Sequence, residues 1–217
     1  MKPLMKIILA VLFFTGAYNF LNAQVGLGIR GGVNFAKAEL EEKSEGNWVT
    51  TETDFIPRLN IGLLVEIPVS GKFAVQPEVN LIQKGYKTSV DNGATYELKN
   101  FMNYLEVPVL FKGKFGGEKL RFNVLAGPTF GYALDGKIKI EDEETDIDFD
   151  ESELKRTEIG ALLGVGMSYT AGPGAIFLDA RLGWGITNLD DSSNSDNFHW
   201  HHRGVSVGAG YIYLFGK

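Results

Sequence analysis

The closing stretch RGVSVGAGYIYLFGK, Arg203 to Lys217, places Val205, Val207, Ala209, Tyr211, Tyr213 and Phe215 on one parity and Gly204, Ser206, Gly208 and Gly210 on the other. Two-residue alternation of this kind specifies a β-strand with two unlike faces. The pattern recurs throughout the chain. Leu27, Ile29, Val33 and Phe35 oppose Gly28, Arg30, Gly32 and Asn34, and Leu59, Ile61, Leu63, Val65 and Ile67 oppose Arg58, Asn60, Gly62 and Glu66. Phe73, Val75, Val79 and Leu81 oppose Gln76, Glu78, Asn80 and Lys84, and Leu105, Val107, Val109 and Phe111 oppose Glu106, Lys112 and Lys114. Three further segments, around 121–134, 158–169 and 176–186, bring the count of alternating segments to eight. Each has the roughly 9–11 residues that a tilted strand needs to cross a bilayer.

The connections alternate as well. Short turns fall near Val69–Lys72, Gly116–Lys119 and Ala171–Gly174, and long polar stretches at 38–56, 87–99, 135–156 and 189–203. Short turns at one end and long loops at the other are the rhythm of an even-stranded up-and-down barrel. The expectation is therefore an all-β fold: an eight-stranded antiparallel up-and-down transmembrane β-barrel with a polar, charged interior and long extracellular loops.

Volume decides which face is wet. An eight-stranded barrel has an interior just wide enough to be filled by side chains. The apolar parity carries about five large groups per strand, too many for that space, so it faces lipid. The other parity mixes long charged side chains with glycine, which suits a narrow interior. Buried charges must be paired or they cost several kcal/mol each. An inner ion-pair network is expected among Arg30, Arg58, Glu66, Glu78, Glu106, Arg121, Glu158, Asp179 and Arg181, with Lys84, Lys112 and Lys114 sharing the same face. Pro77, Pro108 and Pro128 lie inside these strands and are expected to cause bulges or ladder breaks.

The first residues do not belong to this pattern. Lys2 and Lys6 precede an apolar run from Ile7 to Phe14 and then small and polar residues, the order of a secretory signal peptide. Residues 1–23 are read as a cleaved signal and 24–217 as the barrel domain. Two of the 21 basic residues lie in that leader, leaving 19 against 27 acids, a balance that disfavours nucleic acid as a partner. Cysteine is absent, so no disulfide or thiolate site exists.

YLEVPVLFKGKF, Tyr104 to Phe115, NVLAGPTFGYAL, Asn123 to Leu134, and the opening GLGIRGGVNFA, Gly26 to Ala36, resemble the outer-membrane β-barrel family of Bacteroidota that includes PorT-like proteins. The resemblance covers nearly all of the mature chain. It implies residence in the outer membrane and, for some members, ties to protein secretion and gliding, and it carries no catalytic residues onto this sequence.

Two segments are candidate ligand sites. KIEDEETDIDFDESE holds nine acids between Glu141 and Glu153, suited to a hard cation, although the spacing is not that of an EF-hand and a solvated loop explains it as well. NFHWHH, Asn197 to His202, holds all three histidines. His199 and His201 share a face of an extended strand and, with Asp190, Asp191 or Asp196, or with Asp148 and Asp150 of the acidic run, form a weak metal-site candidate. No G-x-S-x-G nucleophile pattern is present. The resulting expectation is a non-enzymatic, monomeric barrel without a cofactor. Its partners are outer-membrane lipid and, through loops or turns, other envelope proteins. Alternatives are small-ligand or divalent-cation binding through the loops, and a soluble lipocalin-like carrier.

Overall fold

Alternation becomes hydrogen-bonded ladder along the whole chain. The computed structural model describes residues 25–44, 46–91, 95–149, 151–192 and 196–215; the segment read as an export signal lies outside them. Ten strands form: β1 Gly26–Ser44, β2 Asn47–Glu52, β3 Ile56–Pro68, β4 Phe73–Asp91, β5 Thr95–Gly116, β6 Leu120–Ile140, β7 Glu143–Asp146, β8 Thr157–Ala171, β9 Gly174–Gly185 and β10 Phe198–Leu214. Eight of them pair antiparallel with their neighbours in chain order, and β10 pairs back onto β1 to close the ring. The other two, β2 and β7, are short hairpin partners of β1 and β6. Followed once round the ring, the registers return to β1 about 10 residues further along, a shear that tilts the strands by roughly 40°.

The tight turns lie where the alternation stops. Between β3 and β4, the Val69 and Ser70 amides donate to the Phe73 carbonyl and the Ser70 hydroxyl accepts from Phe73 N–H. Between β5 and β6, Gly116 sits at φ +109°, and a Cβ there would stand 2.8 Å from the Leu120 carbonyl oxygen, so only glycine fits.

The four long polar stretches are largely not loops. β1 and β4 each run 19 residues, β5 runs 22 and β6 runs 21, about twice what a crossing needs. The barrel wall thus continues beyond the bilayer as a β-extension. The strand phase is unbroken there, but the polarity of the two faces reverses. In β1 the inward parity passes from Arg30 and Asn34 to Ala36 and Ala38, while the outward parity passes from Val33 and Phe35 to Lys37, Glu39 and Glu41. Outside lipid, water takes the outer face and the interior packs like that of a soluble protein. Polar residues on the outward parity make these strands look like loops in the sequence.

At the prolines the ladder lapses without slipping. Pairing between β5 and β6 skips from Pro108↔Thr129 to Phe111↔Ala126 in unchanged register, and between β3 and β4 it skips the residues opposite Pro77. The one register shift among the described residues lies elsewhere, where β5–β6 pairing passes from Tyr104↔Ala133 to Asn103↔Asp135. Leu134 is the extra residue of this bulge, and the inward face of β6 moves from Ala133 to Gly136.

Outside, Ile29, Leu59, Ile61, Leu63, Val79, Leu81, Val165 and Leu178 form an apolar belt, with Ile29 62 % and Leu59 69 % exposed. Phe73, Phe115, Phe122, Tyr169 and Tyr213 border it at the turn end, and Phe35, Phe55, Tyr132 and Trp184 at the other. Exposure of so much contiguous apolar surface is tenable only in lipid, and a closed barrel is the β-structure that leaves no backbone group unpaired there. Among the described residues no helix is long and apolar enough to cross a membrane.

Candidate functional site

The inward parity carries charge on strands that are far apart in sequence, and the closed ring brings those charges together. Arg181 of β9 donates two bonds to Glu78 of β4, at 2.8 and 3.0 Å, and a third to Asp179 at 2.9 Å. Asp179 accepts in turn from Arg30 of β1 at 2.6 and 3.0 Å. Glu78 accepts from Gln76 at 2.6 Å, whose carbonyl accepts from Lys112; Lys112 and Lys114 of β5 both donate to Glu66 of β3, at 2.7 and 2.9 Å. One continuous chain of four cations and three carboxylates thus crosses the lumen, with Arg30, Glu78 and Arg181 each no more than 3 % exposed.

A second cluster lies toward the strand extensions. Lys84 of β4 contacts Glu106 of β5 at 2.6 Å and Glu158 of β8 at 3.1 Å, and His202 Nδ1 lies 3.3 Å from Glu158. This cluster holds one lysine and two carboxylates, so the two together balance at five cations and five carboxylates, apart from His202. Between them lies a cavity of about 50 Å³ whose lining includes Asn60, Asn80, Ile82, Lys84, Glu106 and Arg181.

Glycine makes this packing feasible. Arg30 reaches Asp179 across β10 at Gly208, where a Cβ would sit 2.6 Å from the guanidinium carbon. At Gly185 a Cβ would come within 2.2 Å of Glu158 Oε1. Of the residues expected in the network, Arg58 and Arg121 do not join it. Arg58 places its guanidinium 4.6 Å from the Phe101 ring centroid, and Arg121, at the mouth of the β5–β6 turn opposite Gly116, donates to the Gly117 carbonyl. His202 is the member that loop assignment hid. It shares the parity of Gly204 and Ser206, so extending β10 backwards by one pair finds it.

Above the charged layer the interior turns apolar. Ala38, Ile82, Met102, Tyr104, Ala133, Phe149, Leu189 and Trp200 pack together, with Leu40, Tyr86 and Ile147 around them. Phe149, inside the acidic run, is buried there under the Arg156 guanidinium, 4.6 Å from its ring centroid. Among the described acids of the run, Glu143, Glu144, Asp146, Asp148, Glu151 and Glu153 are exposed. Glu144 pairs with Lys137 across the β6–β7 hairpin. Toward the turns, Leu64, Phe177 and Ile212 form a smaller apolar plug.

On the outer face of the extension, His199 and His201 stand on one side of β10, and Glu41 of β1 lies directly opposite His199 in register. One ligand atom from each of these three side chains lies within 4.8 Å of the other two, the group of this kind found among the described residues. Asp148, Asp190, Asp191 and Asp196 are not part of it. Asp190 instead accepts from Ser192 and Asp191 faces Lys155, and Asp150 lies outside the described residues.

The sequence profile of the outer membrane protein beta-barrel domain family matches residues 21–191. The chain belongs to that family. The domain and its apolar belt place this outer-membrane barrel in the lipid of the outer membrane, with the short turns toward the periplasm as in other such barrels. No curated protein matches it in sequence. Among solved structures it is similar to a major outer membrane protein of Thermus thermophilus (12 % identity, 87 % of this chain and 99 % of that chain covered, TM-score 0.49). It is also similar to Ail, the attachment invasion locus protein of Yersinia pestis (16 %, 88 % and 99 %, 0.43), and to the outer membrane protease OmpT of Escherichia coli (11 %, 88 % and 97 %, 0.39).

A soluble carrier of lipocalin type needs its large apolar groups inside. Across the membrane-spanning part of this barrel they face outward and the interior carries the ion-pair network, which overturns the carrier reading. Glu106→Ala is expected to destabilise the barrel by about 2–3 kcal/mol, because Lys84 then keeps Glu158 as its only carboxylate while remaining buried. Urea titration of the refolded protein in detergent measures this, and an unmoved midpoint would refute the role of Glu106 in holding Lys84.

Proposed function

We propose that this outer-membrane barrel is a non-enzymatic scaffold of PorT-like type that presents its extracellular β-extension to another envelope protein, as an accessory to secretion or gliding. The observation that carries the reading is the filled lumen. From the Leu64–Phe177–Ile212 plug, through the ion-pair network, to the apolar core under Trp200, every level of the interior is occupied by side chains. Diffusion channels need a wide, water-filled barrel of about sixteen strands. What remains available for work is the outer surface. The β1–β2 hairpin holds Trp48 and Val49 exposed beyond the bilayer, where lipid gives them no cover.

Site-specific photo-crosslinking in the native envelope tests this. A photoreactive side chain at Val49 is expected to give a discrete protein adduct, and one at Ile29 in the lipid belt none. Absence of an adduct at Val49 and along the rest of the hairpin, or stepwise conductance of the purified barrel in a planar bilayer, would overturn the scaffold reading.

A further inference from the structure

The three side chains on the outer face of the seam have the chemistry of a metal site. Alternate residues of a strand point to the same side, so His199 and His201 project their imidazoles together, ring centroids 5.9 Å apart. Glu41 comes from the first strand and the histidines from the last, and His199 Nδ1 lies 3.4 Å from the Glu41 carboxylate. Both rings are held from behind. The Nδ1–H of His201 donates to the Thr187 carbonyl at 3.1 Å, which leaves Nε2 as the unprotonated nitrogen and is the kind of outer contact that orients a ligating histidine. His199 is stacked on Trp48 of β2, centroids 4.3 Å apart at 22°. The Arg203 head is taken up by Glu39 at 2.7 Å and by the Gly185 carbonyl, and does not occupy the Glu41 carboxylate.

We propose that Glu41, His199 and His201 bind one divalent transition-metal ion of the zinc class, which links the first and last strands of the barrel on its extracellular side. Two imidazoles and a carboxylate are the donor set of zinc, nickel and copper(II) rather than of calcium or magnesium. In a tetrahedral site with metal–ligand distances of about 2.0–2.2 Å the ligand atoms stand roughly 3.4 Å apart. The three ligand atoms, all within 4.8 Å of one another, stand within about 1.4 Å of that spacing. Three protein ligands leave the fourth position open to water on the outer surface.

The test uses the full chain folded in detergent and stripped of metal, titrated with Zn²⁺ against a chromogenic chelator. One Zn²⁺ per chain is expected. His199→Ala, His201→Ala and Glu41→Gln are each expected to weaken binding by about 10-fold or more. Asp148→Asn in the acidic run is expected to leave binding unchanged. Heat-modifiable gel mobility confirms that each variant is folded. As a second readout, Ni²⁺ is expected to quench tryptophan emission in the parent protein and to lose most of that effect in Trp48→Phe, since Trp48 is the indole stacked on His199. Absence of stoichiometric Zn²⁺ binding, or binding unaffected by His201→Ala, or binding abolished by Asp148→Asn, would overturn the site.

Discussion

Arg181→Met is expected to lower the unfolding free energy of the barrel by about 3–5 kcal/mol. Arg181 joins the two halves of the interior network, because its guanidinium serves Glu78 with two bonds and Asp179 with a third. Methionine fills much of the volume but leaves one buried carboxylate in excess. Asp179 keeps Arg30, whereas Glu78 keeps only the amides of Gln76 and Asn80. Lysine at the same position restores the charge but not the fork, so Arg181→Lys is expected to recover part of the loss. Urea unfolding in detergent, followed by tryptophan emission and by the gel shift, measures both. Arg121→Met at the rim is the control, with a change within about 0.5 kcal/mol. Equal midpoints for Arg181→Met and Arg121→Met would show that the network does not hold the barrel together.

Leu63→Arg is expected to cost about 2–4 kcal/mol in a bilayer, the range for a cation at the lipid-facing midplane of a barrel. Leu63 lies halfway along the outward parity of β3, 58 % exposed, between Ile61 and Val65. Val49→Arg on β2 changes an equally exposed residue, 54 %, that lies beyond the membrane, and is expected to stay within about 0.5 kcal/mol. The pair separates lipid exposure from exposure as such. Comparable effects at both positions, measured by unfolding from vesicles, would place the hydrophobic belt wrongly.

The two faces of the wall were legible in the chain because strand periodicity is local. Residues two apart share a face whatever the rest of the protein does. That is enough to put Leu27 and Ile29 outward, Arg30 and Asn34 inward, and the turns at 69–72 and 116–119. The polar stretches at 38–56, 87–99, 135–156 and 189–203 were misleading for a physical reason. A strand that leaves lipid keeps its phase but exchanges the polarity of its faces, so Lys37, Glu39 and Glu41 on the outward side resemble a loop to a pattern built on lipid-facing residues. Reading Ala36, Ala38 and Leu40 as the continuing inward parity would have recovered the β1 extension, and the same step back from Gly204 through His202 to Trp200 would have recovered that of β10.

Which charge meets which was set by closure. Arg30 and Asp179 are 149 positions apart, and Arg181 and Glu78 are 103 apart. The inward parity limits the candidates, but the shear of the ring selects the partners by fixing the height at which each strand passes its neighbours. Arg58 and Arg121 share that parity and still miss the network, because one is drawn to Phe101 and the other stands at the rim. The same closure brings Glu41 to His199 and His201. Local periodicity thus assigns each residue to lipid, water or interior, and the pairing of the first strand with the last decides which interior and outer-face groups become neighbours.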